Sequence, residues 1–171
     1  MSKKITAKHL VHCAMIAAVY TVLCLVLAPF SYGAIQVRVA EALTLLPIFG
    51  PEYIVGITLG CLLSNALGST PIDVIFGTTA TLLACIVTWV LRNKRIKGLA
   101  LPAAVPPILF NAVIIGFEIV FFFGDGPATL PALLWTGFTV GVGELISCGI
   151  LGVALVKLIE SNTGLRRIFS E

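Results

Sequence analysis

Six side chains that carry charge or form strong hydrogen bonds stand out in an otherwise apolar sequence. They are Arg38, Glu41, Asp73, Asn111, Glu118 and Glu144. Carboxylates accept hydrogen bonds from N–H and NH₂ groups, and an amide both accepts and donates. An ionisable group next to a bilayer-length apolar run is costly, and it marks a functional site by default. These residue types predict binding of a polar solute.

Glu144 and Asn111 are predicted to lie at a similar depth in the membrane. Counting from the outer end of the last apolar run places Glu144 about 18 Å deep at 1.5 Å per residue. Glu118, seven residues after Asn111, falls on the same helical face nearer the outside. Glu144 is interpreted as a ligand-binding carboxylate, and the alternative is a protonated or hydrogen-bonded structural group. The other residues on its helical face have small side chains, which leave room for a ligand or for a neighbouring helix. These residues are Gly137, Gly141, Cys148 and Gly152.

Arg38 is the only basic residue between Lys8 and Arg92, and Glu41 follows three residues later. On one helical turn the two side chains would be within reach of each other. The pair is either a salt bridge that fixes the start of a helix at the interface or a substrate gate.

The outer half of the predicted bundle is acidic. Asp73, two residues after Pro71, is expected near the start of an apolar span. Trp135 lies near the outer end of the last span, where a Trp serves the interfacial belt or a ligand platform. This half contains five acidic residues and one basic residue, Arg38, and the excess of negative charge favours a cationic or donor-rich solute. The acidic residues are Glu41, Asp73, Glu118, Asp125 and Glu144.

The elements that must position these residues are membrane helices. The chain has 171 residues, of which 58% are hydrophobic and 11% charged, and its mean hydropathy is +1.08. Because a soluble domain carries about 25% charged residues, the composition predicts an all-α integral membrane protein with one domain over residues 1–171. Six transmembrane helices are predicted, at about His9–Ala28, Val39–Phe49, Glu52–Leu67, Asp73–Leu91, Leu99–Phe123 and Pro131–Ile159.

Basic residues set the predicted orientation. With six spans, every lysine and arginine except Arg38 falls on one side of the membrane. By the positive-inside bias both termini are cytoplasmic, and the loops Ser31–Arg38, Asn65–Asp73 and Gly124–Pro127 face outward. The clustering of basic residues at membrane ends indicates topology rather than nucleic-acid binding.

Several functions are disfavoured by what the sequence lacks. All five cysteines lie in apolar stretches without a C-x-x-C pair, which predicts small buried side chains and no disulfide. His9, His12 and Cys13 lack a carboxylate partner, so no metal and no cofactor is predicted. No phosphate loop, H-E-x-x-H or G-x-S-x-G motif occurs, so neither an enzyme nor a chain that uses ATP is expected.

The stretch SYGAIQVRVAEALTLLPIFGPEYIVGITLGCLLSNALG, Ser31 to Gly68, resembles the QueT family. This family is assigned to uptake of queuosine precursors, which are deazaguanine bases, and it belongs to the substrate-binding S components of energy-coupling factor (ECF) transporters. The resemblance implies a multi-pass protein of the bacterial cytoplasmic membrane. It also implies that the chain docks on a transmembrane T component and two cytoplasmic ATPases.

The resemblance implies roles for particular segments. The first helix would supply the docking surface with Ala14 and Ala18, a pair spaced to allow close helix approach, although alanine is also common in membrane helices. The loop Ser31–Arg38 would cover the site, and the later helices would bind the base through the face with Asn111, Glu118 and Glu144. One carboxylate can accept both donors of a deazaguanine edge, and Asn111 can serve the base carbonyl.

Two alternatives remain open from the sequence. The chain could bind another vitamin or nucleobase-like solute as an S component. It could also be an assembly subunit of a membrane complex without a solute site, in which the polar residues pair with partner helices.

Overall fold

The structure is a computed structural model, and it describes residues 7–28, 37–124 and 126–170. The described part is helical and contains no β-strand, which confirms the predicted all-α class. Residues 31–36 of the predicted outer loop and Asp125 lie outside the described residues. The helical elements are α1 Ala7–Val26, a 3-10 helix Val39–Ile48, α2 Glu52–Gly68, α3 Pro71–Val90, α4 Leu101–Glu118, a π-helical segment Ile119–Phe123, α5 Leu130–Glu144, a second π-helical segment Leu145–Gly152, α6 Val153–Ser161 and α7 Thr163–Ser170.

Four of the described helical stretches are long and apolar enough to cross a membrane. They match the predicted first, fourth, fifth and sixth spans: His9–Val26, Pro71–Val90, Leu101–Phe123 and Leu130–Ser161. The predicted second and third spans correspond to two shorter apolar helices, Val39–Ile48 and Glu52–Gly68. At about 1.5 Å per residue, the 17 residues of α2 are at the lower limit for crossing a hydrocarbon core.

The 3-10 helix forms the centre of the bundle. Eight of its ten residues are buried, and it contacts α1 to α4, α6 and the second π-helical segment. A ten-residue 3-10 helix at about 2.0 Å per residue is shorter than the hydrocarbon core. This segment is the predicted short second span, and the long helices pack around it. It ends as predicted at Gly50-Pro51, before α2.

One sequence prediction about a connection is wrong. The predicted Asn65–Asp73 loop is reduced to Ser69 and Thr70, because α2 continues to Gly68 and α3 begins at Pro71. The Thr70 side chain caps α3 by accepting a hydrogen bond from the backbone N–H of Asp73 at 3.3 Å. The predicted last span is continuous, and a π-helical segment lies within it between α5 and α6.

Helices α1 and α2 pack closely because α2 carries glycines at the contact. A Cβ added at Gly60 would lie 2.9 Å from the carbonyl oxygen of Ala17 and 2.8 Å from the Cβ of Tyr20. A Cβ at Gly56 would lie 2.9 Å from the carbonyl oxygen of Cys13. Small residues of this kind let helix backbones approach in a membrane.

Replacing Gly60 with Val is therefore expected to destabilise the protein. The new side chain would collide with the α1 backbone, and overpacking of this kind costs about 1–3 kcal/mol. Melting temperatures of the purified protein in detergent measure the effect. Gly126→Val is the matched control, because a Cβ at Gly126 meets nothing within 4 Å. Equal melting temperatures for the two variants would contradict the close α1–α2 contact.

Candidate functional site

The candidate site is centred on Glu41, which the 3-10 helix carries into the middle of the bundle. Its side chain is only 1% exposed. The hydroxyl of Tyr20 on α1 donates a hydrogen bond to Glu41 Oε1, whereas Glu41 Oε2 is buried without a hydrogen-bond partner among the described residues. One buried carboxylate oxygen therefore lacks a short hydrogen bond, and the Asn111 amide is the neighbouring donor.

Glu144 and Asn111 lie beside Glu41. The Cys148 thiol donates to Glu144 Oε2 at 3.2 Å and to the backbone carbonyl of Glu41 at 3.2 Å. The Asn111 amide interacts with both carboxyl groups, and Asn111 and Glu144 are each 4% exposed. The structure thus brings together the two residues that were predicted to share a depth, and it adds Glu41 to them.

Glycines bring the elements of this cluster together. A Cβ at Gly116 on α4 would lie 2.9 Å from the Cα of Gly137 on α5, and a Cβ at Gly152 would lie 3.1 Å from the Ala42 carbonyl oxygen. The sequence left open whether the small face around Glu144 accommodates a ligand or a helix. At Gly137 and Gly152 the small face packs against the backbone of neighbouring elements. These close contacts keep Asn111, Glu144 and Glu41 near one another.

The predicted Arg38–Glu41 salt bridge is replaced by a different ion pair. Arg38 Nη2 lies 3.6 Å from Asp73 Oδ2, because the short Ser69-Thr70 connection places the first turn of α3 beside Arg38. Ser69 donates to Asp73 Oδ2 at 2.6 Å, and the Asn65 amide donates to the Asp73 carbonyl oxygen at 3.1 Å.

Gly77 makes room for this arrangement. A Cβ there would lie 2.6 Å from Asn65 Nδ2 and 2.9 Å from Asp73 Oδ1. The side chains of Asn65 and Asp73 therefore fill the space that any other residue at position 77 would need.

Glu118 is the least satisfied polar residue of the site. It is 1% exposed, and neither carboxylate oxygen has a hydrogen-bond partner in the described part of the chain. It interacts electrostatically with Asp73 and Arg38. Asn111 and Glu118 are both buried on α4, which agrees with the predicted shared face.

Both inward-facing acids of the later helices occupy the same position relative to their helix. Glu118 is the last residue of α4 before the first π-helical segment, and Glu144 is the last residue of α5 before the second. Single π turns inside α-helices are frequent at functional sites. Nothing in the residue pattern distinguishes a π turn from an α turn, so the sequence did not predict this feature.

Trp135 does not belong to the cluster. Its side chain is 68% exposed, and its ring faces Phe138 at a centroid distance of 6.2 Å on the outer surface of α5. The hypothesis of a ligand-stacking Trp135 finds no support, because the helix turns this residue away from the buried acids. Ala14 and Ala18 are also exposed, whereas Ala17 between them is buried against α2.

Sequence reasoning missed Tyr20 and treated Cys148 as a small apolar residue. Cys148 follows Glu144 by four residues, so their shared helical face was visible, but its contact with residue 41 was not. Glu41, Glu144 and Cys148 offer ligand atoms within 4.8 Å of one another, a set that could also hold a metal ion. The Cys148 thiol is hydrogen-bonded to Glu144 and to the Glu41 backbone, and the Tyr20 hydroxyl donates to the Glu41 carboxylate. Carboxylates held by such hydrogen bonds suit recognition of an organic ligand.

Only a small space is open beside Arg38. A cavity of about 30 Å³ is bordered by Cys24, Arg38, Ser64, Asn65 and Ser69. This volume has room for a water molecule and is much smaller than a bicyclic base. Entry of such a ligand therefore requires the surrounding side chains to separate.

Apolar helices that enclose buried carboxylates are typical of membrane proteins with a polar functional site. Residues 10–161 match the family described as QueT transporter, and the chain therefore belongs to this family. This confirms the resemblance carried by residues 31–68 and the expectation of a multi-pass protein of the cell membrane. Since the family consists of transporters, the expectation that the chain is not an enzyme is confirmed as well.

A curated relative from Lactococcus lactis subsp. cremoris (strain MG1363) is named "Queuosine precursor transporter QueT". It is 42% identical to this chain over 82 residues, which cover 47% of this chain and 48% of the relative. The alignment thus spans about half the length of the relative. No solved structure matches the chain.

Proposed function

We propose that the chain is the substrate-binding S component of an ECF-type importer and captures a queuosine precursor, a deazaguanine base, from outside the cell. The observation that carries this proposal is the buried group of Glu41, Asn111 and Glu144, which offers acceptors in the middle of an apolar bundle. The name of the Lactococcus relative supports the choice of substrate.

The hydrogen-bonding capacity of the site matches a deazaguanine. The edge of the base presents an N–H and an NH₂ group side by side, and one carboxylate can accept both. Glu144 is the proposed acceptor, with Glu41 Oε2 next to it. The Asn111 amide can donate to the base carbonyl. An aminomethyl precursor is cationic, which suits a site with more acids than bases.

The proposed topology is one domain over residues 1–171, with six crossings and both termini in the cytoplasm. Two contacts support it. Arg95, between α3 and α4, forms an ion pair with Glu160 on α6 at 2.7 Å, and the hydroxyl of Tyr53 at the start of α2 donates to the Phe169 carbonyl oxygen at 3.2 Å. These contacts bring the basic loop, the start of α2 and the C-terminal helix to one end of the bundle. Arg38 and Asp73 would lie at the other end.

ATP-driven uptake is proposed to come from partner proteins. The exposed pair Ala14 and Ala18 would contact the T component, and two cytoplasmic ATPases would supply the energy. The side of α1 with Ala17 is already occupied by α2. The other side is available for an intermolecular helix contact.

The substitution Glu144→Gln tests the proposed function. It keeps the size of the side chain but presents an NH₂ group to a donor of the base, which should weaken binding by about 2–4 kcal/mol, roughly 30- to 1,000-fold. Calorimetry with the aminomethyl deazaguanine measures the affinity. Glu160→Gln, which removes a charge at the far end of the bundle, is the control. An affinity unchanged from the wild type would exclude Glu144 from the site, whereas weakened assembly with normal binding would favour a structural subunit.

Cysteine labelling tests the topology. In intact cells a membrane-impermeant maleimide should label a cysteine introduced at Gly126 and should not label one introduced at Asn93. Labelling of the wild type, which has five native cysteines, gives the background. The reverse labelling pattern would overturn the orientation and the direction of uptake.

The double substitution Ala14→Leu and Ala18→Leu tests docking. Bulky side chains prevent close helix approach, so the variant should no longer co-purify with the T component but should bind the base normally. Val19→Leu is the control, because Val19 is exposed on α1 but lies about 100–140° around the helix from Ala18 and Ala14. Undiminished co-purification would show that the pair faces lipid.

A further inference from the structure

We infer that Glu118 forms a second subsite, which binds a cationic substituent of the ligand at a distance from the groups that bind the base. This inference rests on the proposed function and adds to it the residue that selects among bases with different side groups. The subsite comprises the Glu118 carboxylate and lies two helical turns along α4 from Asn111.

The first argument is the unsatisfied state of Glu118. Both carboxylate oxygens are buried, and no described residue donates a hydrogen bond to either of them. Buried polar groups in proteins are nearly always hydrogen-bonded, and an unpaired one calls for an explanation. The residues next to it on its helix, Ile115, Phe117 and Ile119, have apolar side chains that offer no donor. A ligand that brings its own N–H donors would satisfy the group.

The second argument is the distribution of charge. Arg38 is the cation with which Glu118 interacts, but its guanidinium is already paired with Asp73 and also interacts with Glu41. The positive charge of Arg38 is therefore shared between the Glu118 carboxyl and the carboxyl groups of Asp73 and Glu41. A second positive charge, brought by a ligand, would be attracted to the part of the cluster that Arg38 neutralises least.

The third argument is distance along α4. Glu118 follows Asn111 by seven residues, which corresponds to about 10.5 Å along the helix axis. In a deazaguanine the carbonyl and the seven-position substituent are neighbours, so two hydrogen bonds of about 2.9 Å and the aminomethyl arm between them span about 10 Å. A base whose carbonyl accepts from Asn111 can therefore present a short aminoalkyl group to Glu118, while its donor edge points to Glu144.

The experiment compares two ligands that differ only in the side group. The aminomethyl deazaguanine carries an ammonium group at the seven-position, and the cyano deazaguanine carries an uncharged nitrile there. Wild type should bind the aminomethyl base more tightly. Glu118→Gln should weaken binding of the aminomethyl base by about 10- to 100-fold, the range for a lost charge-assisted hydrogen bond, and leave binding of the cyano base unchanged.

Two further variants complete the design. Glu118→Asp keeps the charge on a shorter side chain, so it should retain part of the preference for the aminomethyl base, including under conditions in which the Gln variant is poorly stable. Glu144→Gln should weaken both bases, because it acts on the edge they share. Melting temperatures recorded without ligand separate effects on folding from effects on binding.

The outcomes distinguish the two proposals. If wild type binds both bases and Glu118→Gln keeps the wild-type preference, or weakens both equally, the subsite is overturned and the proposed function stands. If wild type binds neither base, the proposed function is overturned and the subsite with it. A selective loss for the aminomethyl base, partly restored by Asp, supports the assignment.

Discussion

The structure depends on keeping several acids and one arginine inside a bundle of apolar helices. Arg38 interacts with Asp73 and Glu41, and its charge also reaches Glu118 and Glu144. Isolated charges are strongly disfavoured in such surroundings, so the fold must supply pairing and hydrogen bonds. The 3-10 helix does this by carrying Glu41 to the Tyr20 hydroxyl. The tight connection before α3 does it by placing Asp73 beside Arg38.

This arrangement is only partly compensated, and the incomplete part is where a ligand can act. Asp73 is supported by Arg38 and Ser69, and Glu144 accepts from Cys148. Glu118 and one oxygen of Glu41 have no such support within the described ranges. A fold that needed its acids only for stability would gain by pairing them fully. Under the proposed function, the donors of the ligand would pair these oxygens.

Local properties of the sequence predicted the long helices and the buried acids, because uninterrupted apolar runs and rare charges are visible along the chain. The partner of Arg38 was not predictable, since Asp73 is distant in sequence and meets Arg38 only through the packing of the 3-10 helix against α3. The contact of Tyr20 with Glu41 was not predictable either, because these two residues are also distant in sequence. Both roles of Trp135 stayed open in the sequence, because depth in the membrane does not show which side of a helix faces inward. The 3-10 winding of Val39–Ile48 was not predictable, because apolar composition is the same in the protein core as in lipid.

The π-helical segments that follow Glu118 and Glu144 have a consequence for how the bundle can change shape. A π turn holds more residues than an α turn, and its i→i+5 hydrogen bonds can be exchanged for i→i+4 bonds one residue at a time. Each exchange rotates the downstream part of the helix by about 100°, the angle per residue of an α-helix. The first segment ends its helix at Phe123, whereas the second, after Glu144, continues into α6 and could rewind without unfolding. Beyond the second segment lies α6, whose Glu160 is tied to the basic loop at the far end of the protein. A change of winding beside Glu144 would therefore turn a helix that reaches the opposite end of the bundle.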